Sequence, residues 1–261
     1  MTDETYTIDG RTLTMPVEVR RSRNWIASFP VPLAPVDRLV APTGLEVARV
    51  RPGKAMVTLG FVEYDDTDLG AYHEFMVSIM VRKHDRPRAA SQSVHSREFR
   101  KNDIGVYIHR LPVDDRFSME AGRGIWGYPK TLMEFVRSDE GRSTGWTLRE
   151  DGVPAVQLSW KPRWIPMRPT KSPPTYTFLD GVLRMTTWQS QAQGVRVRPR
   201  GAELTLGQGE LADELRSLGI QRPILSISVG NMRARFGSAQ VIEPAKRASS
   251  EEESGEPAKN L

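Results

Sequence analysis

The chain has 261 residues, with 37 basic against 32 acidic side chains, a net charge of +5 and no cysteine. That length suits one large domain or two small ones with a sizeable core. The missing cysteines exclude disulfides, thiol catalysis and Cys-ligated metals, and no apolar run reaches the roughly 18 residues that a membrane helix needs.

The opening MTDETYTIDG is acidic and polar, unlike a secretory signal, and with the lack of cysteine it predicts a cytoplasmic protein. Basic residues are scattered and no reader motif accompanies them, so nucleic acid is not expected as a partner, nor is a membrane.

Strand-like segments dominate the chain. Residues 12–20, 45–51 and 54–64 are rich in Val, Leu and Thr with turn residues between them, and 73–82 reads as a strand buried on both faces. Residues 103–111, 144–150, 153–160, 181–191 and 223–242 continue the pattern. Many short strands argue for a barrel or sandwich-like sheet system rather than βαβ units.

Helices are few. Residues 36–42 suit one or two turns stopped by Pro42. Residues 114–122 have Asp114 as cap and Gly122 as stop, and 209–219 place Leu211, Leu215 and Leu218 on one face before Gly219. Residues 82–102 form a basic, nearly apolar-free loop, and the Pro-rich run 161–176 reads as an extended connector. The boundaries expected are one domain over 1–244 and a disordered charged tail over 245–261, where SSEEESGEP offers little apolar surface to bury.

One segment carries chemistry: EAGRGIWGYPKTLMEF, residues 120–135. It contains Gly122-x-Gly124-x-x-Gly127, the spacing of a dinucleotide loop. That loop must follow a strand and open a helix. Here a helical pattern precedes the glycines, and Pro129 disfavours helical geometry at Tyr128. The lysine at the end of the segment is the more telling residue. Ile125, Trp126, Tyr128, Leu132, Met133 and Phe135 crowd Lys130, and apolar surroundings favour a neutral amine, the form that attacks a ketone to give an imine.

The pattern Gly122-Arg123, then Tyr128-Pro129-Lys130-Thr131-Leu132, resembles that of the acetoacetate decarboxylase family. So does the upstream run YIHRLPVDDRFSMEAGR, the element Leu69-Gly70-Ala71-Tyr72-His73-Glu74, and the stretch from Leu215 to Ile242. The resemblance covers about residues 5 to 243. It implies an α+β, β-rich fold: a closed or cone-shaped antiparallel sheet system with few helices around an apolar pocket. Lys130 would be the Schiff-base lysine, Glu74 the buried carboxylate beside the imine, and Arg11 the cation that orients a substrate carboxylate. The implied activity is a carbon–carbon lyase without cofactor or metal, acting on a small keto acid and assembled as a homo-oligomer. Its reaction would be decarboxylation of an acetoacetate-like β-keto acid, with aldolase-dehydratase chemistry through a pyruvate imine, or silent small-molecule binding, as alternatives. Thr131 departs from the family, which has a second lysine there. Lys130 is expected to serve chemistry rather than packing.

Overall fold

The computed structural model describes residues 4–85, 103–141, 143–161, 165–169 and 172–242. Most of the basic loop, and the tail from residue 245, lie outside the described residues. The architecture is α+β and β-rich, with three α-helices among the described residues.

Ten strands form one sheet, in the order β10 (Ile165–Pro166), β13 (Trp188–Pro199), β15 (Leu225–Phe236), β3 (Val17–Pro32), β4 (Lys54–Thr67), β5 (Tyr72–Arg82), β6 (Ile104–Arg110), β11 (Thr175–Leu179), β12 (Val182–Thr186) and β16 (Gln240–Val241). The pairings are antiparallel except that of β6 with β11. A second sheet runs β14 (Ala202–Leu206), β9 (Val153–Trp160), β8 (Ser143–Glu150), β7 (Glu134–Glu140), and β1 (Thr5–Ile8) pairs with β2 (Arg11–Thr14). The helices are α1 (Leu33–Val40), α2 (Arg116–Trp126) and α3 (Glu210–Ser217).

The two faces of the large sheet have different fates. Along β3, β4 and β5 one parity, including Phe29, Phe61, Phe75 and Ile79, packs on Trp146, Leu148, Leu158 and Trp160 of the four-stranded sheet. Phe61 stacks on Trp146 with centroids 5.7 Å apart. Each such ring contributes about 1.5–3 kcal/mol on burial. Leu211 and Leu215 of α3 close the same core, as their spacing predicts. The opposite parity lines a cavity. Hence β5 is buried on both faces, as its unbroken apolar run suggests.

Several sequence expectations need correcting. Residues 45–51 are not a strand: they make only isolated bridges at Val47 and Arg51, because turns at Gly44 and at Pro52-Gly53 bracket the segment, although Leu45, Val47 and Ala48 are buried. Helix α2 is capped by Asp115 rather than Asp114, with the Asp115 carboxylate accepting from Ser118 N at 2.6 Å. It also runs through Gly122 to end at Gly127, whose φ of +64° is the left-handed cap geometry. The stretch 181–191 breaks between β12 and β13 at Thr187. The long strand β3 was legible only at its start, since Arg20, Arg21, Arg23, Pro30 and Pro32 mask its pattern. Its arginines are matched across the sheet: Arg20 with Asp66 and Asp68, Arg23 with Glu63 and Asp65.

Candidate active site

Lys130 is mounted by the turn that follows α2. Tyr128 N donates to Gly122 O at 3.0 Å, and Arg123 Nη1 donates to Lys130 O at 3.1 Å. The Gly-Arg and Tyr-Pro-Lys elements are therefore one mechanical unit. Gly122 is required by close approach, not by turn geometry: a Cβ there would lie 2.6 Å from Lys130 Cδ and 2.8 Å from Cε. The aliphatic stem of the lysine thus crosses the bare face of α2. Trp126 Nε1 donates to Gly237 O, and Trp126 O accepts from Thr177 Oγ1, fixing the end of the helix to the large sheet.

Glu74 sits in β5, paired with Val62 of β4, and so it belongs to the sheet and not to a loop. The extended residue Val113 bridges Glu74 on one side and Leu132 on the other. Val113 N donates to Thr131 O, and Met133 N donates to Val113 O. A single residue therefore sets the spacing between the strand that carries the carboxylate and the segment that carries the amine.

The two side chains meet in the interior. Lys130 Nζ lies 3.1 Å from Glu74 Oε2, and the residues are 3% and 7% exposed. Tyr64 donates its hydroxyl to Glu74 Oε1 at 3.3 Å, Tyr64 and Tyr72 stack at 4.4 Å, and Lys130 Nζ lies 4.8 Å from the Tyr72 ring centre. Burial, then the neighbouring Glu74 charge, raises the Tyr64 phenol well above its ordinary value. Burial likewise raises Tyr72, with Tyr64 and Glu74 adding. Tyr128 is pushed up to about 12, chiefly by burial, with the Thr175 hydroxyl acting the other way and Glu74 adding. All three therefore stay protonated at neutral pH.

Beyond this pair opens a cavity of about 430 Å³. Its floor is a grid of paired residues: Tyr64–Tyr72, Asn24–Val62–Glu74, Ile26–Gly60–Met76 and Ser28–Thr58–Ser78 on β3, β4 and β5. Val17 and Val19 also face the cavity, although their parity differs from that of Asn24 and Ile26. A bulge between Val19 and Ser22 switches the parity, and the matching irregularity on β15 does the same for Val229 and Met232. Trp126, Tyr128, Met167, Pro169, Ser172 and Pro173 add to the wall. Among the described lining residues Lys130 and Glu74 alone are charged, and no three His, Asp or Glu side chains in the described residues converge as a metal site.

Of the three site residues expected from sequence, the structure brings Lys130 and Glu74 together and leaves Arg11 apart. Arg11 is exposed on β2, its guanidinium 3.7 Å above the Phe117 ring, and it does not line the cavity. Thr131 is also exposed and outside the cavity. Sequence reasoning missed Tyr64 and Asn24. Tyr64 closes an otherwise ordinary strand pattern, and Asn24 lies in the arginine-rich start of β3 beyond a bulge that no alternation rule anticipates.

The sequence profile of the acetoacetate decarboxylase family matches residues 10–244. No curated protein sequence matches the chain. Among solved structures, an acetoacetate decarboxylase aligns with a TM-score of 0.69 at 17% identity, covering 87% of this chain and 89% of that one. The acetoacetate decarboxylase of Legionella pneumophila aligns with a TM-score of 0.66 at 17% identity, covering 87% of each chain. The enduracididine biosynthesis enzyme MppR, in complex with pyruvate, aligns at 0.67 and 14% identity, over 92% of this chain and 98% of that one. At these identities the structural likeness is one of fold, and no helix of the described residues is long and apolar enough to cross a membrane. With the profile matched along nearly its whole length, the chain belongs to the acetoacetate decarboxylase family.

Proposed function

We propose that the protein is a cofactor-independent carbon–carbon lyase that decarboxylates a β-keto acid through an imine on Lys130. The observation that carries this reading is the buried Lys130–Glu74 pair, 3.1 Å apart, at the head of an apolar cavity. Glu74 takes a proton from the ammonium, and the free amine attacks the ketone carbon. Loss of water gives a protonated imine. The bond to the carboxylate carbon then breaks, its electron pair moves into the imine, and carbon dioxide leaves an enamine. Glu74, having given its first proton to the departing water and taken another from solvent, protonates the enamine carbon, and water hydrolyses the resulting protonated imine to release the ketone and restore the ammonium.

The departure of Arg11 from the cavity bears on the reaction. With no arginine among the described lining residues, a substrate carboxylate meets apolar walls, an environment that favours neutral carbon dioxide over the anion. Chemistry that retains the carboxylate, as in an aldol reaction of pyruvate, lacks the bidentate partner that Arg11 was expected to supply. The fold shared with a pyruvate-bound MppR supports that second reading.

The test is borohydride reduction in the presence of acetoacetate or pyruvate, with mass spectrometry locating the adduct and carbon dioxide release followed in parallel. A Lys130 adduct with carbon dioxide released from acetoacetate is the expected result. An adduct with pyruvate alone favours the aldol reading, and the absence of any adduct leaves a silent binder.

A further inference from the structure

We propose that the substrate is a keto acid with a long, uncharged apolar chain, and that the chain lies in a trough running along β5 away from Lys130. This rests on the lysine-imine reading for the position of the keto group, and on the cavity itself for the chain.

Size is the first observation. A dry cavity on the order of 150 Å³ accommodates benzene, a molecule of six heavy atoms. Acetoacetate has only one more, whereas this cavity measures about 430 Å³. A four-carbon acid would leave more than half of it vacant or wet.

Shape is the second. Glu74, Met76, Ser78 and Met80 succeed one another along β5 and all line the cavity. Six residue steps along the strand separate the first from the last, a run of roughly 20 Å. Gly60, which carries no side chain, lies on the trough floor between Ile26 and Met76.

Polarity is the third. Beyond the Lys130–Glu74 end, no described lining residue is charged. The three hydroxyls on the trough floor are turned on the protein: Ser28 and Thr58 bond each other at 3.2 Å, and Ser78 donates to Thr58 O at 3.4 Å. Farther along is Met80, and on the adjoining strands Val195 and Ile227 flank the rows of Asn24 and Ile26 with more apolar surface. Such walls reject a second carboxylate or a phosphate and accept methylenes.

Two measurements test this. In the first, carbon dioxide release is compared for unbranched 3-oxo acids from acetoacetate to 3-oxodecanoate. The expected kcat/KM rises about threefold to fourfold per methylene until the trough is filled. In the second, calorimetry follows methyl ketones from butanone to 2-nonanone binding the double variant Lys130→Met/Glu74→Gln, in which no imine can form. The same rise in affinity is expected. Gly60→Leu places a side chain where a Cβ already meets Met76 Cε at 3.4 Å, so it should cut the long-chain advantage about tenfold or more. Met80→Trp should do the same at the far end if the glycine variant does not fold. Chain-length dependence in binding without any borohydride adduct keeps the trough and overturns the imine. Flat profiles in binding, whatever the adduct, overturn the trough.

Discussion

Gly122 and Lys130 are in mutual contact: the lysine stem occupies the space where a Cβ on that glycine would stand, 2.6 Å from Cδ. Gly122→Ala sets two effects against each other. Alanine gains about 0.8–1 kcal/mol of helix propensity in the interior of α2, while overpacking beside a buried side chain costs about 1–3 kcal/mol. Net stability should fall by no more than about 2 kcal/mol, yet the amine is displaced from Glu74. The expected result is a melting temperature within a few degrees of the parent and imine trapping reduced at least tenfold. Unchanged trapping would show that the glycine does not set the aim of the lysine.

The sequence expectation that Lys130 serves chemistry and not packing needs qualification, because its partner is buried with it. Removing one member of a buried pair leaves an uncompensated charge and costs about 3–5 kcal/mol, while replacing both is near neutral. Lys130→Met alone should therefore destabilise the fold markedly, and Lys130→Met/Glu74→Gln should regain most of the loss. Both should be inactive. Urea denaturation of the three proteins at neutral pH checks this, and a double variant no more stable than the single one would count against a charged pair.

Much of the candidate site was legible because its residues are adjacent in short motifs. Gly122-Arg123 and Tyr128-Pro129-Lys130 are joined by hydrogen bonds within one turn, so their spacing survives as a pattern. Glu74 lies in a similar cluster with Tyr72. What escaped depends on pairing between distant strands. Asn24 faces Glu74 only through Val62, and only because a bulge near Arg21 changes the parity of β3. Arg11 was expected in the site from the family resemblance, but proximity to the cavity is decided by the hairpin of β1 and β2, which turns it onto Phe117 instead. The β-rich class was read correctly from turn spacing and residue type. The polar strands β7 and β14 were not, since outward faces dilute their apolar pattern.

Asp114 ties the strand start beside Glu74 to the Val113 segment. His73 N donates to its Oδ1 at 2.7 Å, and His73 Nδ1 lies 2.6 Å from Oδ2. Burial works to raise this carboxyl, but the His73 hydrogen bonds and charge outweigh it and hold it below its ordinary value. A carboxyl lowered in the folded state contributes stability above its unfolded value, near about 3.9, and loses it as pH falls through the folded value. Stability should thus decline below about pH 4, with a slope that Asp114→Asn reduces. Asp114→Asn should also weaken imine trapping at neutral pH by disturbing the mount of Glu74. Chemical denaturation between pH 3 and 7 reads the first effect; identical slopes in the two proteins would remove Asp114 from this role.

Tyr64 is the protein donor to the Glu74 oxygen that faces away from the lysine, at 3.3 Å, and its raised phenol keeps it a donor at any working pH. Tyr72 in turn stacks on Tyr64, with ring centroids 4.4 Å apart. The effects of removing the two hydroxyls should therefore be graded. Tyr64→Phe leaves a buried carboxylate oxygen unsatisfied, a loss of about 1–3 kcal/mol. It also removes the donor that fixes the distal oxygen of Glu74, so the carboxyl is held less firmly toward the enamine carbon and the protonation step slows while imine formation persists. The expected signature is a fall in kcat of about tenfold, with borohydride trapping on Lys130 retained. Tyr72→Phe keeps the stacked ring and leaves the Tyr64 bond to the carboxylate in place, so it should cost less on both counts. Steady-state carbon dioxide release measured beside trapping separates the two steps, and a Tyr72→Phe defect as large as that of Tyr64→Phe, with both rings still stacked, would show that the hydroxyl bonded to Glu74 is not the one that supports the carboxylate.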